Sequence, residues 1–375
     1  MRVALVTESF LPQMNGVVNS VVQVVLHLRR RGCDVVLIAP RRGPSVFADV
    51  EVVRVPAMPL PWHRPFPLGL PCPLVERTIQ AFRPDVVHVA SPVVLGAEAI
   101  AVANRLGIPS VAVFQTDLPG FARHYRLRAA SPALWAWLRR MHRRATLTLA
   151  PSSASLVQLR QHGIERVARW GRGVDLRAFD PSFRSETLRA SLVGDGELLI
   201  GYVGRLAAEK RVGLLAHLRG IEGCRLVVVG AGPARARLQR ALPEAAFLGF
   251  LTGPELSAAY ASLDIFVHTG ANETFCQAAQ EAMASGVPVV APASGGLLDL
   301  IEHGRSGWLW PAEDPTALRE AVTLLAAEPA RRALLGRRAR ESVAVRSWNA
   351  LGDELLGHYR AAIDSVRPPT EEAAA

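Results

Sequence analysis

Short apolar runs of strand length alternate with longer amphipathic segments along almost the whole chain. This alternation constrains the fold more than any other feature. Strands are expected at Val3–Thr7, Asp34–Ala39, Asp85–Ala90, Ser110–Gln115 and Thr146–Ala150, with a helix over about Val17–Arg31 and helical segments between the rest. After Arg177-Ala178-Phe179-Asp180-Pro181 the rhythm restarts, with strands at Leu198–Val203, Arg225–Gly230, Ala246–Leu248, Asp264–His268 and Pro288–Ala291. Helices are expected there at about Ala234–Ala241, Pro254–Ser262, Phe275–Ser285 and Pro315–Ala327. Strands joined by helices pair in parallel, and 375 residues exceed what one core usually covers. The expected fold class is α/β: two tandem Rossmann-like, doubly wound domains facing across a cleft, where ligands meet the carboxyl ends of strands. The expected boundaries are 1–178 and 179–344, with a last helix at about 345–365 packing back on the first domain and a flexible tail at 366–375.

Composition narrows the class. Half the residues are apolar and 20% are charged, enough to fill two cores. The N-terminus enters a strand-like run without a basic region or a long apolar stretch, so a secretory leader is not expected. Ser91–Phe114, the most apolar stretch, is broken by Glu98, Asn104 and Arg105, which argues against a membrane span. Cys33, Cys72, Cys224 and Cys276 lie far apart, against a disulfide framework or a zinc motif. Seven prolines between Pro56 and Pro73 predict a surface loop or edge segment. The formal charge is +10, but the arginines are spread along the chain with no nucleic-acid-binding motif, so no nucleic-acid partner is expected. Of the 43 basic residues only Lys210 is a lysine, which marks a place where an ammonium point charge is wanted.

Two segments carry chemistry. Gly204-Arg205-Leu206-Ala207-Ala208-Glu209-Lys210 runs from an apolar strand into a turn with two cations five residues apart. A fixed Arg and Lys neutralise the charge that grows on a leaving diphosphate without a metal; the plain alternative is an exposed salt-bridging turn. In the second segment, Thr274 and Gln277 form a T-x-x-Q capping box, which predicts a helix start there. The backbone N–H groups of Thr274, Phe275, Cys276 and Gln277 would then offer a phosphate site. Glu281 would lie roughly 10 Å from Glu273 at about 1.5 Å per residue, one carboxylate for sugar hydroxyls and one for ribose. The alternative is a capped amphipathic helix with solvated glutamates. His88 sits near a strand end and reads equally as a core histidine. The absence of D-x-D and of an Asp/His cluster predicts no metal.

Gly204-Arg205-Leu206-x-x-Glu209-Lys210, Glu273-x7-Glu281 and Gly286-x-Pro288-Val289-Val290 together resemble the donor domain of retaining, metal-independent glycosyltransferases of family four, which have the GT-B fold. Glu8-Ser9-Phe10-Leu11-Pro12-x-x-Asn15-Gly16-Val17 resembles the family's first strand and glycine loop, and Arg172-Gly173-Val174-Asp175 its linker. The resemblance implies that Arg205 and Lys210 stabilise the diphosphate, Glu273 binds the transferred sugar and Glu281 the ribose. It further implies that Gly16 lets backbone approach the diphosphate and that Gly249, Phe250 and Leu251 cradle the base. Gln115 stands where many relatives have a His that contacts the donor sugar near the reacting centre, so a histidine base cannot be carried over; on the family's account a polar hydrogen-bonding residue suffices there, and Asp117 becomes a candidate for orienting the acceptor.

Val89-Ala90-Ser91-Pro92, Gln115-Thr116-Asp117-x-Pro119-Gly120-Phe121 and Asp353-Glu354-Leu355-Leu356-Gly357-His358-Tyr359 carry a closer resemblance within the family, to actinobacterial GDP-mannose-dependent α-mannosyltransferases of glycolipid and lipomannan synthesis. UDP-sugar-dependent sulfoquinovosyl-diacylglycerol synthases are the nearest competitor. A nucleotide-sugar epimerase is a more distant one. The resemblance implies a nucleotide-sugar donor, no cofactor and a glycolipid acceptor at an anionic membrane surface. The segment Trp135-Ala136-Trp137-Leu138-Arg139-Arg140-Met141-His142-Arg143-Arg144 is expected to form an amphipathic basic helix suited to such a surface. A solvated basic face on an ordinary helix is the alternative. The protein is thus expected to be cytoplasmic and peripheral on the inner face of the plasma membrane.

Overall fold

In the first strand, β1 (Arg2–Val6), Val3 and Leu5 enter one apolar cluster while Ala4 and Val6 enter another, so the strand is covered on both faces. That double burial is why the run is continuously apolar rather than alternating. Each such side chain contributes about 1.5–3 kcal/mol on leaving water. The computed structural model describes residues 1–13, 15–60, 63–120, 131–194 and 196–366. The tail expected at 366–375 lies outside these from residue 367.

The chain divides into two units, Met1–Arg172 with Trp348–Ala375, and Gly173–Ser347. The division falls inside the linker motif, ahead of the boundary at 178 read from sequence.

The first unit holds β2 (Asp34–Pro40), β3 (Val46–Phe47), β4 (Val50–Val55), β5 (Ala57–Leu60), β6 (His63–Gly69), β7 (Val86–Val89), β8 (Ser110–Val113), β9 (Leu147–Ala150) and β10 (Val167–Arg169). Its main sheet runs β10-β9-β8-β7-β1-β2-β4-β3, parallel except for β3 against β4. The proline-rich stretch expected as loop or edge instead pairs β5 with β6 as an antiparallel hairpin, and Pro73 then opens the helix Pro73–Phe82. Proline suits a first helical position because its missing N–H would find no partner there.

The helix Trp348–Asp364 belongs to the first unit and packs on the helix Gly16–Arg30. Gly352 allows the contact, since a Cβ there would lie 2.3 Å from the His27 ring. Trp170 Nε1 donates to the Leu351 carbonyl at 2.9 Å, and the Tyr359 hydroxyl meets His88 Nδ1 at 2.7 Å. His88 is therefore a core residue, and burial holds its ring down at about 3.

The second unit holds β11 (Leu198–Val203), β12 (Cys224–Val229), β13 (Ala246–Gly249), β14 (Ile265–Val267), β15 (Val289–Pro292) and β16 (Trp308–Trp310), all parallel, in the order β13-β12-β11-β14-β15-β16. This is the doubly wound order, whose direction reverses between β11 and β14. Loops leaving the carboxyl ends of those two strands diverge and leave a place for a ligand. Both segments singled out for chemistry leave from those ends.

Candidate functional site

The chain turns out of β11 at Gly204, whose φ of 154° would strain any residue with a side chain. A Cβ on Gly230 would fall 1.9 Å from the Gly204 carbonyl, so the two glycines let the loops after β11 and β12 touch. Arg205 follows, partly exposed, its Nη1 3.7 Å from Glu209 Oε1. A single 3-10 turn, Ala208–Lys210, then swings Lys210 toward the loop after β14. The Thr269 hydroxyl donates to the Lys210 carbonyl at 2.6 Å and ties the two loops together.

Lys210 Nζ donates to Glu273 Oε1 at 2.6 Å, and His268 Nε2 reaches the same oxygen at 2.9 Å. His268 follows β14 directly, and its amide donates to the Val290 carbonyl at 2.9 Å. Burial would raise the Glu273 carboxyl, but Lys210 and His268 outweigh it and hold the group well below the usual carboxylate range. Burial would lower His268, yet Cys276 and Glu273 carry it up to about 9. Lys210 also stays above its ordinary value because Glu273 outweighs its burial. Lys210 and His268 together therefore favour the ionised form of Glu273. Both bonds fall on Oε1.

The helix after Glu273 starts later than the capping box predicts. It spans Gln277–Ala284, and its cap is Cys276, in the left-handed region at φ 88° and ψ 74° with no side-chain cap bond. Tertiary contacts override the local signal: Gly296 N donates to the Glu273 carbonyl at 2.8 Å, and a Cβ on Gly296 would lie 2.6 Å from Phe275 Cα. Glu273, Thr274 and Phe275 thus form a turn pressed onto Gly295-Gly296, and the helical estimate of the Glu273–Glu281 separation does not apply. Gln277 opens the helix instead, its Nε2 donating to the Gly173 carbonyl at 3.1 Å.

Glu281 stands apart from the Lys210–Glu273–His268 cluster. Its Oε2 accepts from the Tyr260 hydroxyl at 3.0 Å. Burial lifts its carboxyl to about 7, against the bonds from Tyr260 and Gln277 that lower it. Gly249 ends β13 at φ 76°, and its carbonyl accepts from Gly230 N at 2.6 Å. Phe250 is largely exposed and Leu251 rests on the apolar cluster beneath. Among the described residues, His268, Glu273 and Cys276 bring three ligand-type atoms within 4.8 Å of one another. The sequence expectation concerned a D-x-D motif and an Asp/His grouping, and this His/Glu/Cys grouping is of another kind. The separated positions gave no spacing motif, and only folding gathers them.

In the first unit, Asn15 caps the helix Gly16–Arg30, accepting from the Val17 and Val18 amides. Buried Arg172 donates to the Gly16 carbonyl at 2.8 Å and to Gln115 Oε1 at 2.9 Å, joining two of the predicted residues. A Cβ at Gly16 would lie 2.9 Å from Arg172 Nη1. Asp117 Oδ1 accepts from the Gly120 amide at 2.9 Å and shapes its own loop. Glu8, just past β1, accepts three backbone N–H bonds from Val93, Val94 and Gly96 on Oε1; burial raises its carboxyl to about 7.

The helix Ser131–His142 does not offer its apolar stripe outward: Leu138 and Met141 are buried and Trp135 packs with them, stacked on His162 at 3.6 Å. That stripe, expected to face a membrane, is core. Trp137 and Arg139, Arg140, Arg143 and Arg144 remain exposed. No helix among the described residues is long and apolar enough to cross a membrane.

His268, Arg172 and Glu8 are the residues that sequence reasoning passed over as site members. His268 ends an apolar run and reads there only as a strand end, whereas Glu8 and Arg172 stand in family-like segments that gave them no role of their own.

Residues 14–178 match the model described as Glycosyltransferase Family 4, and residues 197–328 the one described as Glycosyl transferases group 1. A GDP-mannose-dependent alpha-mannosyltransferase of Mycolicibacterium smegmatis is 50% identical over 97% of this chain and 98% of that protein. A protein of the same name from Mycobacterium tuberculosis is 51% identical over 96% of both. Among solved structures, a sucrose-phosphate synthase from Thermosynechococcus elongatus superposes with a TM-score of 0.79 at 21% identity, covering 97% of this chain and 99% of the other, and so shares its fold. Matched along nearly its whole length, the chain belongs to glycosyltransferase family 4 and is a glycosyltransferase of the GT-B fold.

Proposed function

We propose that this chain is a retaining α-mannosyltransferase that moves mannose from GDP-mannose to a glycolipid acceptor. The observation that carries the reading is the Lys210–Glu273–His268 ion cluster at the carboxyl ends of β11 and β14. Breaking the sugar–phosphate bond puts negative charge on the departing diphosphate. Arg205 and Lys210 supply preorganised positive charge for it, and Glu273 Oε2 accepts a hydroxyl of the transferred sugar. Glu281 takes the ribose, and Gly249–Leu251 the base. The identity of half the residues to proteins named for GDP-mannose supports the guanine nucleotide and mannose.

In the first unit, Asp117 orients the acceptor. Gln115 has no proton-carrying ability near neutral pH, so the departing phosphate itself receives the acceptor's proton, as the family resemblance implies. With Lys210 already the cation on Glu273, the reaction runs without a divalent ion, and transfer persists in excess chelator. The exposed Trp137 and its neighbouring arginines hold the protein to an anionic inner-leaflet surface; equal partitioning with neutral and anionic liposomes would refute that attachment.

The donor reading is tested by a binding and hydrolysis panel of GDP-mannose, UDP-glucose, UDP-galactose and UDP-sulfoquinovose on wild type and Glu273→Ala. GDP-mannose is turned over by wild type and bound but not turned over by the variant. Preference for a UDP-sugar overturns the assignment.

A further inference from the structure

We propose that His268 is a positioning residue for Glu273: together with Lys210 it fixes Oε1, so that Oε2 is the oxygen presented to a hydroxyl of the donor sugar. The inference rests on reading the second unit as the donor site and adds a residue to it. A carboxylate held by one flexible lysine can rotate and exchange its two oxygens, because the ammonium is a point charge on a four-carbon stem. A second donor converging on the same oxygen removes that freedom. His268 Nε2 does so at 2.9 Å, with Lys210 Nζ at 2.6 Å from the same oxygen.

The imidazole itself has little freedom. Its ring is 3% exposed, its peptide N–H is bonded across to β15, and it lies nearly parallel to the buried Tyr202 ring, with centroids 6.2 Å apart and planes at 12°. Gly270 leaves the room for this contact, since a Cβ there would lie 3.0 Å from both Glu273 Oε1 and His268 Nε2. The Glu273 backbone is fixed independently by the bond from Gly296. The imidazole and the Glu273 backbone are thus each held in place, which is what a site needs when displacement by an ångström costs on the order of 100-fold in rate.

His268→Phe keeps the ring on Tyr202 and removes the donor, whereas His268→Gln restores an N–H that can reach Glu273. Steady-state kinetics with GDP-mannose should show kcat falling roughly 10- to 100-fold in His268→Phe, with KM for the donor changed less than about threefold. His268→Gln should recover most of the lost kcat. GDP binding and the thermal midpoint of both variants serve as checks on folding. Wild-type kcat in His268→Phe overturns the proposal, as does equal impairment of the two variants with GDP binding intact. If wild type neither binds nor turns over any nucleotide sugar, the donor reading itself falls; turnover that is indifferent to His268 removes only the positioning role.

Discussion

Replacement of Lys210, which is bonded to Glu273 Oε1, separates charge from shape. Lys210→Ala removes a cation from the diphosphate and leaves Glu273 ionised beside His268 alone. Loss of a preorganised group of this kind costs roughly 100- to 1,000-fold in kcat. Lys210→Arg keeps the charge, but its planar fork does not reproduce a point donor at 2.6 Å, so recovery should be partial in initial-rate measurements. Glu281 yields a pH prediction. Its folded carboxyl is raised to about 7, so it passes from neutral to ionised between about pH 6 and 8. The ionised form accepts ribose hydroxyls more strongly. GDP affinity measured by calorimetry should therefore rise with pH across that window, and Glu281→Gln should flatten the profile. The stability sign is opposite: a raised carboxyl favours the folded state below its unfolded value and loses that contribution as pH climbs through about 7. Arg205, Lys210, Glu273 and Glu281 were legible because a lone lysine and carboxylates in a family motif stand out. His268 was not, because a polar residue ending an apolar run looks the same whether it caps a strand or faces a ligand.

At the scale of elements, the turn Glu273–Phe275 is where local sequence misled. A capping box is an interaction within one turn, worth about a kilocalorie, and packing of that turn onto Gly295-Gly296 outweighs it. Gly296→Ala should show how much depends on that packing. The new Cβ would meet Phe275 Cα and the Thr274 carbonyl at 2.6 Å, backbone atoms that cannot rotate away. Overpacking of this kind costs about 1–3 kcal/mol. Because the displaced turn carries Glu273, kcat should fall with the chemical-denaturation midpoint. Gly213→Ala, with nothing within 4 Å of its added Cβ, is the matching control and should change neither. The helix Ser131–His142 taught the reverse lesson: its periodicity was read correctly, but periodicity does not say whether an apolar stripe faces protein or lipid. Contacts of Trp135 and Met141 with their cluster decide it.

At the scale of the molecule, both sheets were legible because β1, β11 and their neighbours are apolar on both faces, a pattern that only a helix-covered parallel sheet produces. What sequence could not give was strand order, which sets the switch point between β11 and β14, since order depends on crossovers that leave no local mark. The return of Trp348–Asp364 to the first unit is held by buried polar bonds as well as apolar area. Tyr359→Phe would strip His88 of its hydroxyl partner in the core, and an unsatisfied buried group costs about 1–3 kcal/mol. That variant should lower the thermal midpoint while leaving the affinity for GDP unchanged, since Tyr359 lies in the first unit and the proposed donor site in the second. The central claim is tested most directly by incubating the protein with radiolabelled GDP-mannose and a glycolipid fraction, following GDP release and the anomeric configuration of mannose in lipid. The account predicts equimolar GDP and α-linked mannosyl lipid, abolished by Glu273→Ala; β-linked product, or undiminished transfer in that variant, would contradict it.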